Sequence, residues 1–571
     1  MRQDLNAATS SFPNRRRFLL SAAAAAAAPL VGCGGGGGGG GAFVPAATSA
    51  STEGPVVITT SGQFKGQTSG AVLRYLGVPY AQAPIGTLRF AAPRPYQATG
   101  DMTDATAFGP ASLQTIPPNT SWIYPTPAVQ SEDCLTLNVW TPGVNAKAPV
   151  IVFLHGGGFR TGATSMPLMD GQRLCERGIV VVTVNYRLGA LGLLSHPDFA
   201  DATNGSFANW QQQDMAAALQ WIRQNIASFG GDPNNVCLMG QSGGAMSAAL
   251  LAQNPDVRPT FQKVILLSPP TVQAPSSMTL TDAAAYTELL AKKLGTTPRG
   301  LRDVDAKTLH TAEIALNALP LPAGFTSGFG FKLTPMVDGH IYRADWTRTA
   351  WPADLPVMIT YTLDEGAFFQ DLIDPATNTR LTPPLPASVS ALTSAVIPQA
   401  GGPAAASAVI DAYTQIAVRE GRSTDPGDLW IDIFGDRLLR NYGTRYAKQI
   451  SSTGVNVRSG TYMHSVKAPG RGVPHCAELP LLFETYGLDY YKAKVGAGAA
   501  EAQLSNELGS VIAAFARDAS DVRFTSGMAW PQLDAGMSNS ALIGSGDQPG
   551  ASVGPVPKLA QMSVWDGLLG Y

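Results

Sequence analysis

This chain is short of charge, of histidine and of patterned cysteine. Only 14% of its 571 residues are Asp, Glu, Lys or Arg, and the formal net charge is −2. It has no basic stripe and no interleaving of aromatic with basic residues, so nothing supports nucleic-acid binding. The six histidines are scattered, and neither a CxxC pair nor an HExxH motif occurs, which leaves no pattern for a metal site. Long apolar runs are also missing. The stretch Ser21–Val31 is too short to cross a bilayer as a permanent helix. Beyond residue 33 the cysteines are Cys134, Cys175, Cys237 and Cys476. In an oxidising compartment they could pair, and spacing does not give a connectivity. Cys175 and Cys237 lie in apolar settings and read as small core residues.

A hydrophobic content of 45% indicates a compact globular protein with a sizeable core. Ahead of that core, Asn14-Arg15-Arg16-Arg17-Phe18-Leu19-Leu20 resembles a twin-arginine export signal. The apolar run after it ends in Leu30-Val31-Gly32-Cys33, similar to a bacterial lipobox in which Cys33 is lipidated and becomes the new N-terminus. Cleavage among the alanines as an ordinary signal peptide is the alternative. The expected organisation is a signal peptide over 1–32, a Gly/Ala-rich tether over 33–53 and one catalytic domain over 54–571. The localisation expected is periplasmic or cell-surface, with membrane contact only through the lipid.

The stretch Val236–Leu250, VCLMGQSGGAMSAAL, organises the rest. An apolar run suited to a buried strand leads into Gly240-Gln241-Ser242-Gly243-Gly244, and then into Ala- and Leu-rich sequence that favours helix. Strand, GxSxG and helix in that order form a nucleophile elbow, a turn that projects the serine hydroxyl. The motif alone is weak, since 61 glycines make a chance GxSxG about an even bet. A second copy, Gly550-Ala551-Ser552-Val553-Gly554, has no strand before it and no helical pattern after it, and reads as loop.

Around the elbow, short strands and turns fill 54–100 and a Thr/Pro/Gln-rich surface loop fills 101–130. Apolar runs at 149–154, 179–184, 236–239, 264–267, 355–361 and 460–466 predict strands. Helical spacing predicts helices over 214–226, 245–251 and 504–516. Strands alternating with helices argue for a mostly parallel sheet covered on both faces. Residues 270–330 and 370–425, rich in Ala, Pro and Thr, read as irregular cap or gorge-wall insertions.

Several separated motifs make the chain resemble the type-B carboxylesterase/cholinesterase family, in particular its bacterial para-nitrobenzyl-esterase-like members. They are GVPYA (77–81), SEDCLTLNVW (131–140), HGGGF (155–159), NYRLG (185–189), NIASFGGDP (225–233), DEGAFF (364–369) and HCAELPLLF (475–483). The resemblance implies an α/β-hydrolase fold, with a mostly parallel central sheet, helices on both faces and cap-like insertions. It implies Ser242 as nucleophile, His475 as base and Glu365 as acid, with Asp364 the weaker choice. The N–H groups of Gly157, Gly158 and Gly243 would form the oxyanion hole. His155 would shape that loop rather than react.

The activity implied is carboxylic-ester hydrolysis through an acyl-enzyme, without cofactor or metal, on small to medium esters. Neutral esters are the default, because the sequence marks no charged anchor. A non-catalytic adhesion module is the alternative, disfavoured by the intact Ser242, Glu365 and His475. Some positions depart from the family pattern. Gln241 and Gly243 flank the serine where Glu and Ala are usual. Ser112 stands where a cysteine often pairs with Cys134, so that disulfide is expected to be absent. Trp122 and Tyr124 are either pocket residues or stray surface aromatics, and Cys476 is expected to pack rather than to act as a redox-sensitive neighbour.

Overall fold

The computed structural model describes residues 52–568, except 101, 118–121, 271–277, 320–331, 345–348, 468–471, 545–549 and most of 371–383. The export signal, the lipobox with Cys33 and nearly all of the tether lie outside the described residues.

The strands are β1 (Thr52–Thr59), β2 (Gly62–Ser69), β3 (Val72–Pro79), β4 (Thr136–Thr141), β5 (Ala148–Leu154) and β6 (Val180–Val184). They continue with β7 (Gly231–Gln241), β8 (Lys263–Leu267), β9 (Val357–Thr362), β10 (Val457–Tyr462), β11 (Ser540–Ile543) and β12 (Ala551–Gly554). All join one sheet in the order β1-β2-β3-β4-β6-β5-β7-β8-β9-β10-β11-β12, with Thr103–Asp104 beside β2. From β6 to β11 every neighbour pairs in parallel, and antiparallel strands close both ends.

Alternation along these strands builds two cores. Val150, Val152 and Leu154 of β5 face one side with Val236 and Leu238 of β7. Ile151 and Phe153 face the other with Cys237 and Met239. A strand buried on both faces needs apolar residues at successive positions, which is why these runs read as continuous. Helices α1 (Trp210–Asn225) and α2 (Gly243–Ala252) cover the first side through Met215, Leu219, Ile222, Met246 and Leu250. On the second side lies a long helix, Ala499–Arg517, bringing Leu504, Leu508, Val511 and Phe515.

The regions that read as irregular contain regular helices: α3 (Leu280–Lys293), α4 (Ala306–Asn317), α5 (Val389–Ala400) and α6 (Pro403–Arg419). Each begins at a defined start: capping side chains from Thr279, Asp305 and Ser388, and Pro403 at the first position of α6. Leu392, Val396, Val409 and Tyr413 build a third apolar cluster with α7 (Pro426–Gly435) and Trp565. A π-turn, Asp436–Arg440, joins α7 to α8 (Asn441–Ser451).

Two expectations are corrected. The second GxSxG is no loop but strand β12, pairing antiparallel with β11. Its Ser552 is exposed on the sheet edge, with no helix following directly, so the strand leaves no apolar signature. Residues 101–130 are not a surface loop throughout: Ala111, Ser112, Leu113, Trp122, Ile123 and Tyr124 are buried. The four described cysteines are free and buried. Cys134 has Ser112 as its side-chain neighbour, where a disulfide partner would have stood.

Candidate active site

Ser242 sits where β7 turns into α2, at φ 52° and ψ −123°. An L-residue in this region carries strain on the order of 1–3 kcal/mol, tolerated when surrounding contacts hold it. The surrounding glycines make the turn sterically possible. A Cβ on Gly240 would lie 2.2 Å from the carbonyl oxygen of Gly244, and one on Gly244 would lie 2.1 Å from that of Leu154. Ser242 N–H donates to Leu267 O at 2.8 Å, tying the turn to the neighbouring strand. Gly243 opens α2, so its N–H has no acceptor within the helix and points from the positive end of the helix dipole.

The segment after β5 supplies more backbone donors. Gly157, Gly158 and Phe159 have φ of 111°, 58° and 65°, three successive left-handed residues that turn the chain sharply. His155 anchors the turn from below, with its ring stacked 4.3 Å from that of Tyr186 and Nδ1 2.9 Å from Gly156 O. The Tyr186 hydroxyl donates to His155 O at 2.6 Å. Burial pulls the His155 pKa down to about 4, so the ring is neutral and shapes the loop.

Glu365 and His475 follow the C-terminal ends of β9 and β10. His475 Nδ1 lies 2.5 Å from Glu365 Oε2, and both residues are buried. The other carboxylate oxygen accepts from Thr362 N–H at 2.8 Å and from the Ser268 hydroxyl at 2.6 Å. Burial opposes a charge on His475, but contacts with Cys476 and the Glu365 carboxylate outweigh it and hold its pKa well above the ordinary histidine value. Asp364, the other acid considered, faces elsewhere. It accepts from Val473 N–H at 3.0 Å and pairs with Lys558 at 3.0 Å. Lys558 also donates to Leu363 O at 2.9 Å, so the residues before Glu365 are fastened to the C-terminal segment.

Gln241 lies beneath the imidazole, its amide donating to His475 Nε2 at 3.1 Å and to Cys476 Sγ at 3.0 Å. Three residues beyond His475, Glu478 is buried with neither carboxyl oxygen hydrogen-bonded among the described residues. Burial, reinforced by the nearby Glu365 charge, pushes its pKa up to about 7.

Ser242, His475, Gly157, Gly158 and Gly243 line one cavity of about 340 Å³. Its residues follow the carboxyl ends of β5, β7, β9 and β10, beside the point where the strand order reverses between β5 and β7. One part of the wall is apolar and aromatic, with Phe368, Phe369, Leu438 and Leu439. The rings of Phe368 and Phe369 lie 5.4 Å and 5.9 Å from the imidazole. Tyr124 reaches the cavity, whereas Trp122 is not part of its lining and packs against Phe368 at 6.0 Å. Cys476 packs in the second core, as expected, and also lines the cavity.

Leu113, Thr115 and Ile116, from the stretch read as surface loop, are wall residues, and so are Arg160, His310 and Glu313. The last three are charged or titratable wall residues that the sequence did not mark. Sequence reasoning also missed Ser268, whose one signal is its place directly after a buried strand. A serine on the same cavity wall as an imidazole that contacts a carboxylate, beside a glycine turn and a helix N-terminus, provides the groups that nucleophilic acyl transfer uses.

The family model described as Carboxylesterase family matches residues 53–564. A phenmedipham hydrolase of Pseudarthrobacter oxydans is 32% identical over 443 residues, 75% of this chain and 82% of that protein. The para-nitrobenzyl esterase of Bacillus subtilis (strain 168) is 35% identical over 353 residues, 59% of this chain and 70% of its own length. A solved PNB esterase superposes with a TM-score of 0.73 at 29% identity, covering 89% of this chain and 99% of that one.

Proposed function

The chain belongs to the carboxylesterase family and is a carboxylic-ester hydrolase, and from that premise we propose that it works through an acyl-enzyme on Ser242. The observation carrying this reading is the 2.5 Å contact between His475 Nδ1 and Glu365 Oε2, with His475 on the same cavity wall as Ser242. Glu365 accepts from Nδ1–H, which fixes the tautomer and leaves Nε2 unprotonated to act as the base. Nε2 takes the proton of the Ser242 hydroxyl as Oγ attacks the ester carbonyl. The negative charge that develops on the carbonyl oxygen meets the N–H groups of Gly157, Gly158 and Gly243. The alcohol leaves with the proton returned by His475, and water then repeats the sequence on the acyl group. A cavity of about 340 Å³ suits small to medium esters. Since one relative is named for para-nitrobenzyl esters, a para-nitrobenzyl ester is a rational first substrate.

The test is a rapid-mixing experiment with 4-nitrophenyl butyrate. A burst of nitrophenolate stoichiometric with enzyme, followed by slower turnover and abolished in Ser242→Ala, is expected. Turnover persisting in a folded Ser242→Ala protein would overturn the mechanism.

We further propose export through the twin-arginine segment and tethering by lipid on Cys33, a reading supported by the sequence of residues 14–33. Metabolic labelling with palmitate checks it: label and membrane association are expected in the parent and absent in Cys33→Ser. Equal partitioning of the two would exclude the anchor.

A further inference from the structure

The cavity is chemically two-sided. Against the aromatic wall stands a polar group from two separate parts of the chain: Arg160, directly after the glycine turn, and His310 and Glu313 of α4. Glu313 Oε2 lies 3.6 Å from His310 Nδ1, and His310 Nε2 lies 3.0 Å from the Thr115 hydroxyl. The carboxylate of Glu313 is packed behind Gly189, where a Cβ would come within 2.8 Å of its Oε1.

Exposure orders these charges. Only 4% of the Glu313 side chain is accessible, while Arg160 is half-buried. A ligand entering the cavity meets the guanidinium on the wall, where the carboxylate of Glu313 also lies but is the less exposed of the two. Burial opposes the Arg160 charge and Glu313 supports it, which keeps a cation in a site largely removed from water. In such a setting a guanidinium favours planar anionic acceptors, and screening by salt is weak.

Resting on the esterase reading of Ser242 and His475, we infer that this cavity selects esters bearing a second, anionic group, a carboxylate held by Arg160. The apolar remainder of such a substrate lies along Phe368, Phe369, Leu438 and Leu439. Arg160 is thus a specificity-determining residue and takes no part in proton transfer.

Two matched ester pairs test this. The mono(4-nitrophenyl) ester of adipic acid is compared with 4-nitrophenyl heptanoate, placing the carboxylate on the acyl side. 4-Carboxybenzyl butyrate against 4-methylbenzyl butyrate places it on the alcohol side. The readout is the ratio of kcat/KM, charged over neutral, for the full-length protein, Arg160→Met, Arg160→Lys and Glu313→Gln. Each is normalised to the serines titrated by a 4-nitrophenyl phosphonate. In one of the pairs the ratio is expected to fall roughly tenfold or more in Arg160→Met. It should be partly kept in Arg160→Lys and should rise in Glu313→Gln, which removes the competing carboxylate. If Arg160 and Glu313 form only a structural pair, thermal stability falls in the variants while both ratios stay put, and the inference is overturned. A full phosphonate titre with unmoved ratios overturns this inference alone. A wild type with no titratable serine overturns the reading beneath it and takes this one down as well.

Discussion

The side-chain amide of Gln241 donates to Nε2 of His475 at 3.1 Å, the nitrogen that receives the Ser242 proton in the proposed mechanism. An uncharged amide there neither stabilises nor opposes the imidazolium as a full charge would. Replacing it by a carboxylate adds a negative charge in contact with the ring and favours the protonated form. In Gln241→Glu the acid limb of the kcat/KM–pH profile is expected to move to higher pH. The parent's own limb is expected above the ordinary histidine value, because burial disfavours the His475 charge less than the contacts with Cys476 and Glu365 favour it. A profile unmoved by the substitution would mean that residue 241 does not sense the proton on Nε2.

Glu365 and Asp364 are adjacent in sequence yet bonded to different partners, so isosteric amides separate their roles. Glu365→Gln keeps the shape but loses the acceptor that fixes the imidazole tautomer, and a fall in kcat of about 10⁴-fold is expected. Asp364→Asn weakens the link to Lys558 and Val473, so a lower Tm with a kcat change of under about tenfold is expected. The opposite pattern would reassign the acid.

Glu478 links pH to stability. Its carboxyl holds its proton in the folded protein to about pH 7, against an ordinary 4.5. A folded pKa above the unfolded one means that stability is highest below the unfolded value and falls as pH rises toward the folded one. Glu478→Gln removes this loss. Its Tm relative to the parent is expected to climb between pH 4.5 and pH 7 and to level off above. A constant offset across that window would show that the carboxyl titrates normally.

The two glycines after Ser242 differ in what they tolerate. A methyl at Gly243 would approach the Phe159 ring at 3.2 Å, which a small ring shift can relieve. At Gly244 it would press on the Leu154 carbonyl oxygen at 2.1 Å, backbone that cannot give way. Gly243→Ala should keep the burst. Gly244→Ala should lose on the order of 3 kcal/mol or more, with the burst lost. Chemical denaturation and burst amplitude together decide it.

The sheet was legible because parallel strands buried on both faces need unbroken apolar runs, such as Pro149–Leu154 and Ile179–Val184. The proposed triad rests on motif order, and Glu365 and Asp364 differ in their bonding, the first against His475 and the second against Lys558. Other parts had no such signature. Strand β12 is an exposed edge, held by backbone pairing that side-chain pattern does not reveal. Helices α3 to α6 are rich in Ala and punctuated by Thr and Pro, so their apolar faces are faint in sequence. The cavity wall is hidden most deeply. Leu113, Arg160, Glu313 and Leu438 meet only through tertiary packing, and Ser268 is marked only by its place directly after a buried strand.

The four buried thiols have a practical consequence. With no cystine among the described residues, the sheet and its helices have no cross-link there for a reductant to cut. Cys134, Cys175 and Cys237 are sealed in the interior, so a thiol-blocking dye can reach them only when the interior opens. Cys476, on the cavity wall, answers to a reagent small enough to enter as a substrate does. The protein thus carries its own pair of clocks, one timing the breathing of the core and the other timing traffic into the site.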